Sequence, residues 1–346
     1  MLTGELTIDL GAIQRNWRAL DALTPPECET GAVVKADAYG CGIERVGPTL
    51  WQAGCRCFFV ATPDEGARLR GAVGPDARIN MLSGYTADEH AAFDAHDLRP
   101  ILNAPEQVSA WMNGPAGPAM LQLDTGMNRL GLEPGELAEM GALPGCISHV
   151  ISHLACADLP DHPQSNRQRQ TFLQLTEGHG ARRSLAATAG MLRGPDWQFD
   201  LTRPGIGLYG GWPYDDAARV VTLEVPILQV RDLAEGETVG YAATWTARRP
   251  SRIATIAAGY ADGLIRAMGS GGATGFIHSR PAPFAGRVSM DLITLDVTDC
   301  GQVGVGDLVE ILGPNQTIDD LAKTTGTIGH EILTSLGSRY RRVYVN

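Results

Sequence analysis

Over its first 210 or so residues the chain alternates short apolar runs with amphipathic stretches, and this alternation restricts the fold more than any other feature. The apolar runs are residues 32–34, 57–61, 79–82, 100–102, 119–123, 150–154, 185–187 and 206–209. They lack the every-second-residue pattern of a half-exposed strand, so they suit strands covered on both faces. Helical patterns lie between them, at 43–53, 63–69, 87–95, 105–112 and 164–175. Thr62-Pro63-Asp64-Glu65 and Ala104-Pro105-Glu106 place proline and acid in a first helical turn. Strands alternating with helices imply parallel βαβ units. Eight such strands close a barrel, and a doubly wound sheet fits the periodicity nearly as well.

The pattern changes at about residue 219. Strand-like runs at 220–230, 238–245, 252–258, 275–278, 292–297 and 307–312 follow one another with few helices between them. Turn residues such as Ala234-Glu235-Gly236-Glu237 and Gly304-Val305-Gly306-Asp307 separate them. Two domains are therefore expected, an α/β domain over 1–218 and a mainly-β domain over 219–346. At roughly 150 residues per domain, 346 residues allow two. Gly-Ser-Gly-Gly at 269–272 reads as a flexible loop.

The formal net charge is −11, which makes nucleic acid a poor partner and leaves any anionic ligand to be held by a local site. No stretch approaches the ~18 apolar residues of a membrane span, and the first residues lack the pattern of a targeting segment. Seven scattered cysteines without a CxxC pair read as reduced thiols of a cytoplasmic protein, with no metal site expected.

The chemistry begins at Ala32-Val33-Val34-Lys35-Ala36-Asp37-Ala38-Tyr39-Gly40, where a lysine ends a buried strand. A desolvated lysine in a barrel mouth loses basicity and becomes a nucleophile suited to Schiff-base chemistry. Taken alone, the same lysine reads more readily as a surface residue at a strand end. The segment VVKADAYG at 33–40 resembles the cofactor-lysine motif of alanine racemases. The resemblance continues in order through DTGMNRLG at 124–131, SHLACAD at 152–158, RPGIGLYG at 203–210, GYAATW at 240–245, AGYADG at 258–263, GRVSMD at 286–291 and TSLGSRYRRVY at 334–344.

That resemblance implies an N-terminal (β/α)8 barrel with a C-terminal mainly-β domain, pyridoxal 5'-phosphate as cofactor, and a homodimer in which each site is completed by the other copy. It implies that Lys35 carries the cofactor and moves the α-proton on one face, and that Tyr241 of the second copy serves the opposite face. Racemisation needs an acid/base group on each side of the reacting carbon. Tyr241 read without the family is an aromatic filling a cross-strand contact. Arg203 would face the cofactor's ring nitrogen and, being always cationic, keep it unprotonated. His153 would stand beside Arg203. Tyr39, Thr188, the backbone at Gly205 and Ile206, and Tyr340 would hold the phosphate, and Arg129 the substrate carboxylate. Tyr260, Met290 and Asp291 would approach that carboxylate from the second copy, although Met290 also suits ordinary core packing.

Five residues depart from the family pattern. Ala187-Thr188 stands for Asn-Ser, Ser289 for a cysteine, Ser338 for the phosphate-binding tyrosine, and Gln122 for a lysine that many members carbamylate to fix the arginine. A neutral hydrogen bond from Gln122 to Arg129 is therefore expected, without dependence on bicarbonate. The implied reaction is interconversion of L- and D-alanine, supplying D-alanine for peptidoglycan. Alternatives are racemisation of serine or of a broader set of amino acids, a non-catalytic carrier of the cofactor, and a barrel-type decarboxylase.

Overall fold

The computed structural model describes residues 3–269 and 271–346, so Ser270 of the 269–272 loop lies outside the described residues. The chain divides into two compact units. One comprises Ile13–Tyr209 and Pro213–Ala218; the other gathers the N-terminal segment through Ala12, Gly210–Trp212 and Arg219–Asn346.

In the first unit seven parallel strands lie in chain order: Ala32–Val33, Cys57–Val60, Arg78–Met81, Leu98–Leu102, Ala119–Gln122, Ile147–Ile151 and Arg182–Ser184. Leu201–Thr202 pairs in parallel with Glu29–Thr30, which leads through Gly31 into Ala32–Val33. On its other side Asp200 N donates to Arg183 O (3.0 Å) and Arg203 N to Ala186 O (2.8 Å). The sheet thereby closes into a ring of eight, an α/β barrel rather than an open doubly wound sheet. Helices Ile43–Ala53 and Pro105–Met112 coincide with the sequence reading.

The strands sit earlier than the apolar runs suggested. Residues 206–209 form one turn of 3-10 helix, and the eighth strand is Leu201–Thr202. Pro204 lacks an N–H and Gly205 lacks a side chain, so the strand stops before the apolar run begins. Likewise Ile147–Ile151 and Arg182–Ser184 precede the runs at 150–154 and 185–187. Their opening residues include His149, Arg182 and Arg183, so hydrophobicity marks only where these strands end.

In the second unit Val221–Leu233 is the organising strand. It pairs with Glu5–Asp9, Leu308–Leu312 and Ser251–Ile256, all antiparallel. Glu5–Asp9 also pairs in parallel with Arg341–Val345, with Leu6 opposite Arg342. The first strand of the chain thus belongs to the β unit, although the sequence reading grouped residues 1–218. The burial alternation of Val221–Leu233 along its first eight residues gives a sheet with one covered face. Among the described residues no helix is long and apolar enough to cross a membrane.

Gly31 sits where the barrel closes. A Cβ there would lie 2.9 Å from both Cys57 O and Phe59 Cε2. Gly31→Ala should therefore destabilise the protein by about 1–3 kcal/mol through overpacking, read as a lower urea midpoint at unchanged slope.

Candidate active site

All eight strands of the barrel run the same way, so the residues that follow them share one face. Lys35 follows Ala32–Val33, Arg129 lies in the loop after Ala119–Gln122, His153 follows Ile147–Ile151, Thr188 follows Arg182–Ser184, and Arg203 follows Leu201–Thr202.

The backbone after Lys35 is unusual. Ala36, Asp37, Ala38 and Tyr39 have φ of 53–55°, four consecutive left-handed residues of which none is glycine. Each costs roughly 1–2 kcal/mol relative to the right-handed form, so the surroundings must over-determine the turn. Ala38 N donates to Val34 O (2.9 Å), Gly40 N to Ala36 O (2.8 Å) and Gly42 N to Asp37 O (2.9 Å). Asp37 Oδ1 accepts from Ile43 N (3.0 Å) and pairs with Arg68 (2.6 Å), which Glu44 also holds (2.6 Å). Glu65 Oε1 accepts from Asp37 N (3.3 Å) and Oε2 from Ala61 N (2.8 Å). This left-handed path aims Tyr39 inward, where its ring stacks on Tyr209 at 4.5 Å.

Lys35 reaches solvent. Its pKa is nevertheless lowered, by desolvation first and then by the charge of Arg129, with Glu65 acting in the opposite sense. His153 is pushed down to about 3 by burial and then by Arg203, Arg129 and Lys35. Lys35, Arg129, His153 and Arg203 therefore form one electrostatic group, in which the imidazole is neutral at physiological pH.

Arg203 is 4% exposed. Its guanidinium donates to Ser184 Oγ (2.5 Å) and to Ser152 O (2.6 Å), both neutral acceptors. Among the described residues no carboxylate forms an ion pair with it, and burial lowers its pKa to about 10. A buried cation without a counter-charge favours an electron-rich or anionic ligand. Thr188 Oγ1 accepts from Gly205 N (3.0 Å) and Gly207 N (3.3 Å). Both of its lone pairs are engaged, and its proton remains to be donated. The Gly205 N–H is thus turned toward Thr188, whereas no acceptor is found for Ile206 N among the described residues. A Cβ on Gly205 would come within 2.4 Å of the Tyr39 hydroxyl, so only glycine permits this approach.

The DTGMNR loop is folded around Asp124, whose Oδ1 accepts from the N–H groups of Gly126 (2.8 Å), Met127 (2.9 Å) and Asn128 (3.1 Å). Gln168, fully buried, donates to Thr125 Oγ1 (3.2 Å) and His153 O (2.9 Å) and accepts from Ala155 N (2.8 Å). It ties the loop bearing Arg129 to the segment bearing His153. Gln122 corrects the sequence reading: its Nε2 donates to Leu130 O (3.0 Å), and no hydrogen bond joins it to the Arg129 guanidinium among the described residues. The amide fixes the backbone next to Arg129 and leaves the guanidinium to a ligand.

In the β unit Tyr241 lies on a 3-10 turn between Thr238–Val239 and Trp245–Thr246 and is 67% exposed. The turn replaces the continuous strand read at 238–245. Tyr260 and Met290 are brought together: Tyr260 N donates to Ser289 O and Ala261 N to Met290 O, each at 3.0 Å. A Cβ on Gly259 would be 2.3 Å from Met290 O, so this glycine permits the contact. Arg339 bridges Asp262 (2.7 Å) and Asp291 (2.8 Å) behind them. Met290 is 53% exposed, so it is a surface residue of its unit and not core. Tyr340 is 4% exposed and packs beside Gly4, and its hydroxyl has no hydrogen-bond partner among the described residues. Sequence reasoning missed Ser152, Ser184, Gln168 and Glu65. Glu65 was visible only as the acid of a helix start.

The alanine racemase N-terminal domain family matches residues 8–213 and the C-terminal domain family residues 220–344. The chain is 53% identical to an alanine racemase of Cereibacter sphaeroides over 99% of both chains. A crystal structure of alanine racemase from Bartonella henselae with covalently bound pyridoxal phosphate matches with a TM-score of 0.94 and 37% identity, covering 100% of each chain. Biosynthetic alanine racemase from Pseudomonas aeruginosa matches with a TM-score of 0.92 and 36% identity, again over 100% of each. The fold is that of an amino-acid racemase built on a barrel. The chain belongs to the alanine racemase family.

Two outcomes are expected. His153 ordinarily titrates near 6.5 and here near 3, so the unfolded chain binds a proton that the folded chain refuses. Its contribution to stability is complete above about pH 6.5 and is lost as pH falls toward 3. Between pH 7 and 5 the loss should be on the order of 1–2 kcal/mol, and His153→Gln should show a correspondingly flatter urea midpoint over that range. The Gln122 geometry predicts that bicarbonate-depleted enzyme keeps its activity. A clear rise on adding bicarbonate would count against it.

Proposed function

We propose that this chain is a pyridoxal-phosphate-dependent alanine racemase that interconverts L- and D-alanine and supplies D-alanine for peptidoglycan, working as a homodimer with shared sites. The observation that carries this reading is the grouping of Lys35, Arg129, neutral His153 and the buried, acid-free Arg203 at one end of the barrel, in a chain 53% identical over almost its whole length to a curated alanine racemase.

When bound, the cofactor supplies an electron sink that makes the substrate α-proton labile. The residues present suit it. Lys35 would hold it covalently through Nζ. The Thr188 hydroxyl, the Ile206 N–H and Tyr39 would hold its phosphate, with Gly205 allowing the close approach. Arg203 would face its ring nitrogen as a permanent cation, and neutral His153 would add no second charge there. Ser184 and Ser152 keep the guanidinium in place.

Arg129 would bind the substrate carboxylate, with Asp124 and Gln168 shaping the loop that presents it. Lys35 Nζ would take or return the α-proton on one face, and the hydroxyl of Tyr241 from a second copy on the other. Tyr241 is exposed enough for that task. Tyr260 and Met290 of the second copy would flank the carboxylate, with Asp291 orienting them through Arg339. No ligand role is assigned to Tyr340, whose ring packs beside Gly4 inside the β unit.

The test combines trapping with turnover. The chain contains two lysines, Lys35 and Lys323. Borohydride reduction of the loaded protein should place the cofactor's mass on the peptide containing Lys35 and not on Lys323. L-alanine should lose its optical rotation completely and yield D-alanine. Tyr241→Phe should keep the trapped adduct and lose about 100- to 10,000-fold in racemisation. A substrate panel including serine separates alanine preference from broad specificity. An adduct without loss of rotation would favour a non-catalytic carrier.

A further inference from the structure

We propose that Glu65 is a positioning residue for Lys35, holding the left-handed turn that follows the lysine against the end of the neighbouring strand. This inference rests on reading Lys35 as the cofactor lysine. Glu65 occupies the third residue of the helix Pro63–Val73, where a glutamate ordinarily turns back to the N-cap N–H. Here Thr62 Oγ1 still accepts from Glu65 N (3.4 Å), but the Glu65 carboxylate is directed elsewhere. One oxygen accepts from Ala61 N, just past Cys57–Val60, and the other from Asp37 N, two residues past Lys35. A helix-capping acid has been diverted to join two adjacent strand ends across the barrel mouth.

Its effect reaches Lys35 in two ways. Asp37 is the second of four left-handed residues, and fixing its N–H fixes the path that leaves Lys35. Arg68, itself held by Glu44, holds the side chain of the same Asp37, so backbone and side chain are anchored separately. Glu65 is also the carboxylate that acts on the Lys35 amine, raising its basicity against desolvation and the cation Arg129 and beside neutral His153. Tyr39, on the same turn, is buried and protonated, since burial raises its pKa. Loss of the Glu65 charge therefore leaves desolvation and Arg129 unopposed at the amine.

The experiment follows Lys35 directly. The full-length protein, stripped of cofactor, is reductively methylated with 13C-formaldehyde, and the Lys35 and Lys323 signals are titrated by NMR. Lys323 is exposed and serves as internal reference. In Glu65→Gln and Glu65→Ala the Lys35 midpoint should fall by roughly half to one pH unit relative to wild type, while Lys323 stays fixed. Capture of pyridoxal phosphate, followed by absorbance, should slow by about tenfold or more. Glu65→Asp keeps the charge on a shorter arm, so it should restore the Lys35 midpoint more fully than the capture rate. Glu44→Gln, which removes the other carboxylate on Arg68, should leave the midpoint unchanged. Circular dichroism confirms that each variant is folded. If the Gln variant folds with the wild-type midpoint and capture rate, the proposal is overturned. If borohydride fails to trap the cofactor on Lys35 in the wild type, it is the reading of Lys35 that fails.

Discussion

The closing of the parallel sheet is the constraint on which the site depends. The stretch from Glu29 to Val33 is bonded to Cys57–Val60 on one side and to the segment around Leu201–Thr202 on the other. Gly31 N donates to Thr202 O and Val33 N to Pro204 O, both at 2.9 Å. Once the ring is closed, residues separated by up to 168 positions, such as Lys35 and Arg203, follow strands that end on the same face. The side chains inherit their proximity from backbone hydrogen bonds, and the loops need only aim them.

The electrostatics of that face run against the rest of the chain. The whole protein is acidic, at −11, while Lys35, Arg129 and Arg203 follow strands that end on one face, where Glu65 acts on Lys35 against Arg129. Serine oxygen and a carbonyl hold Arg203, and desolvation keeps His153 neutral. The protein thus avoids neutralising its own cations, which remain available to an anionic ligand. The serines and Gln168 do the work of holding these groups without adding charge.

Much of this was legible in the sequence, for physical reasons that differ by region. Apolar runs covered on both faces marked six of the eight barrel strands in order, and Pro63 and Pro105 opened helices where proline at a first turn should. Strand starts were hidden because polar residues such as Arg182 and His149 lie inside or at the rim of the barrel. The left-handed turn after Lys35 was invisible, since Ala36, Asp37 and Ala38 carry no propensity for it and tertiary contacts impose it. Gln122 was chemically readable as neutral, but its choice of Leu130 over Arg129 is a matter of reach that only coordinates give. The first strand was misplaced because its partners lie more than 200 residues away.

That long-range pairing sets the order in which the molecule can be made. Glu5–Asp9 is made before both of its partners, Val221–Leu233 and Arg341–Val345, and the ion pair from Glu5 to Arg341 spans 336 residues. At about 5–20 residues per second of synthesis, the interval is some 20–70 s. Until Val221–Leu233 is made, the barrel can close on its own hydrogen bonds while Glu5–Asp9 waits with both edges unpaired. Its charged Glu5 and Asp9 bracket Leu6 and Ile8, the arrangement that keeps an unpaired strand from joining a neighbouring nascent chain. The Arg341–Val345 strand therefore completes a sheet whose Glu5–Asp9 strand is made 336 residues earlier, so the β unit is finished only after the barrel has been synthesised.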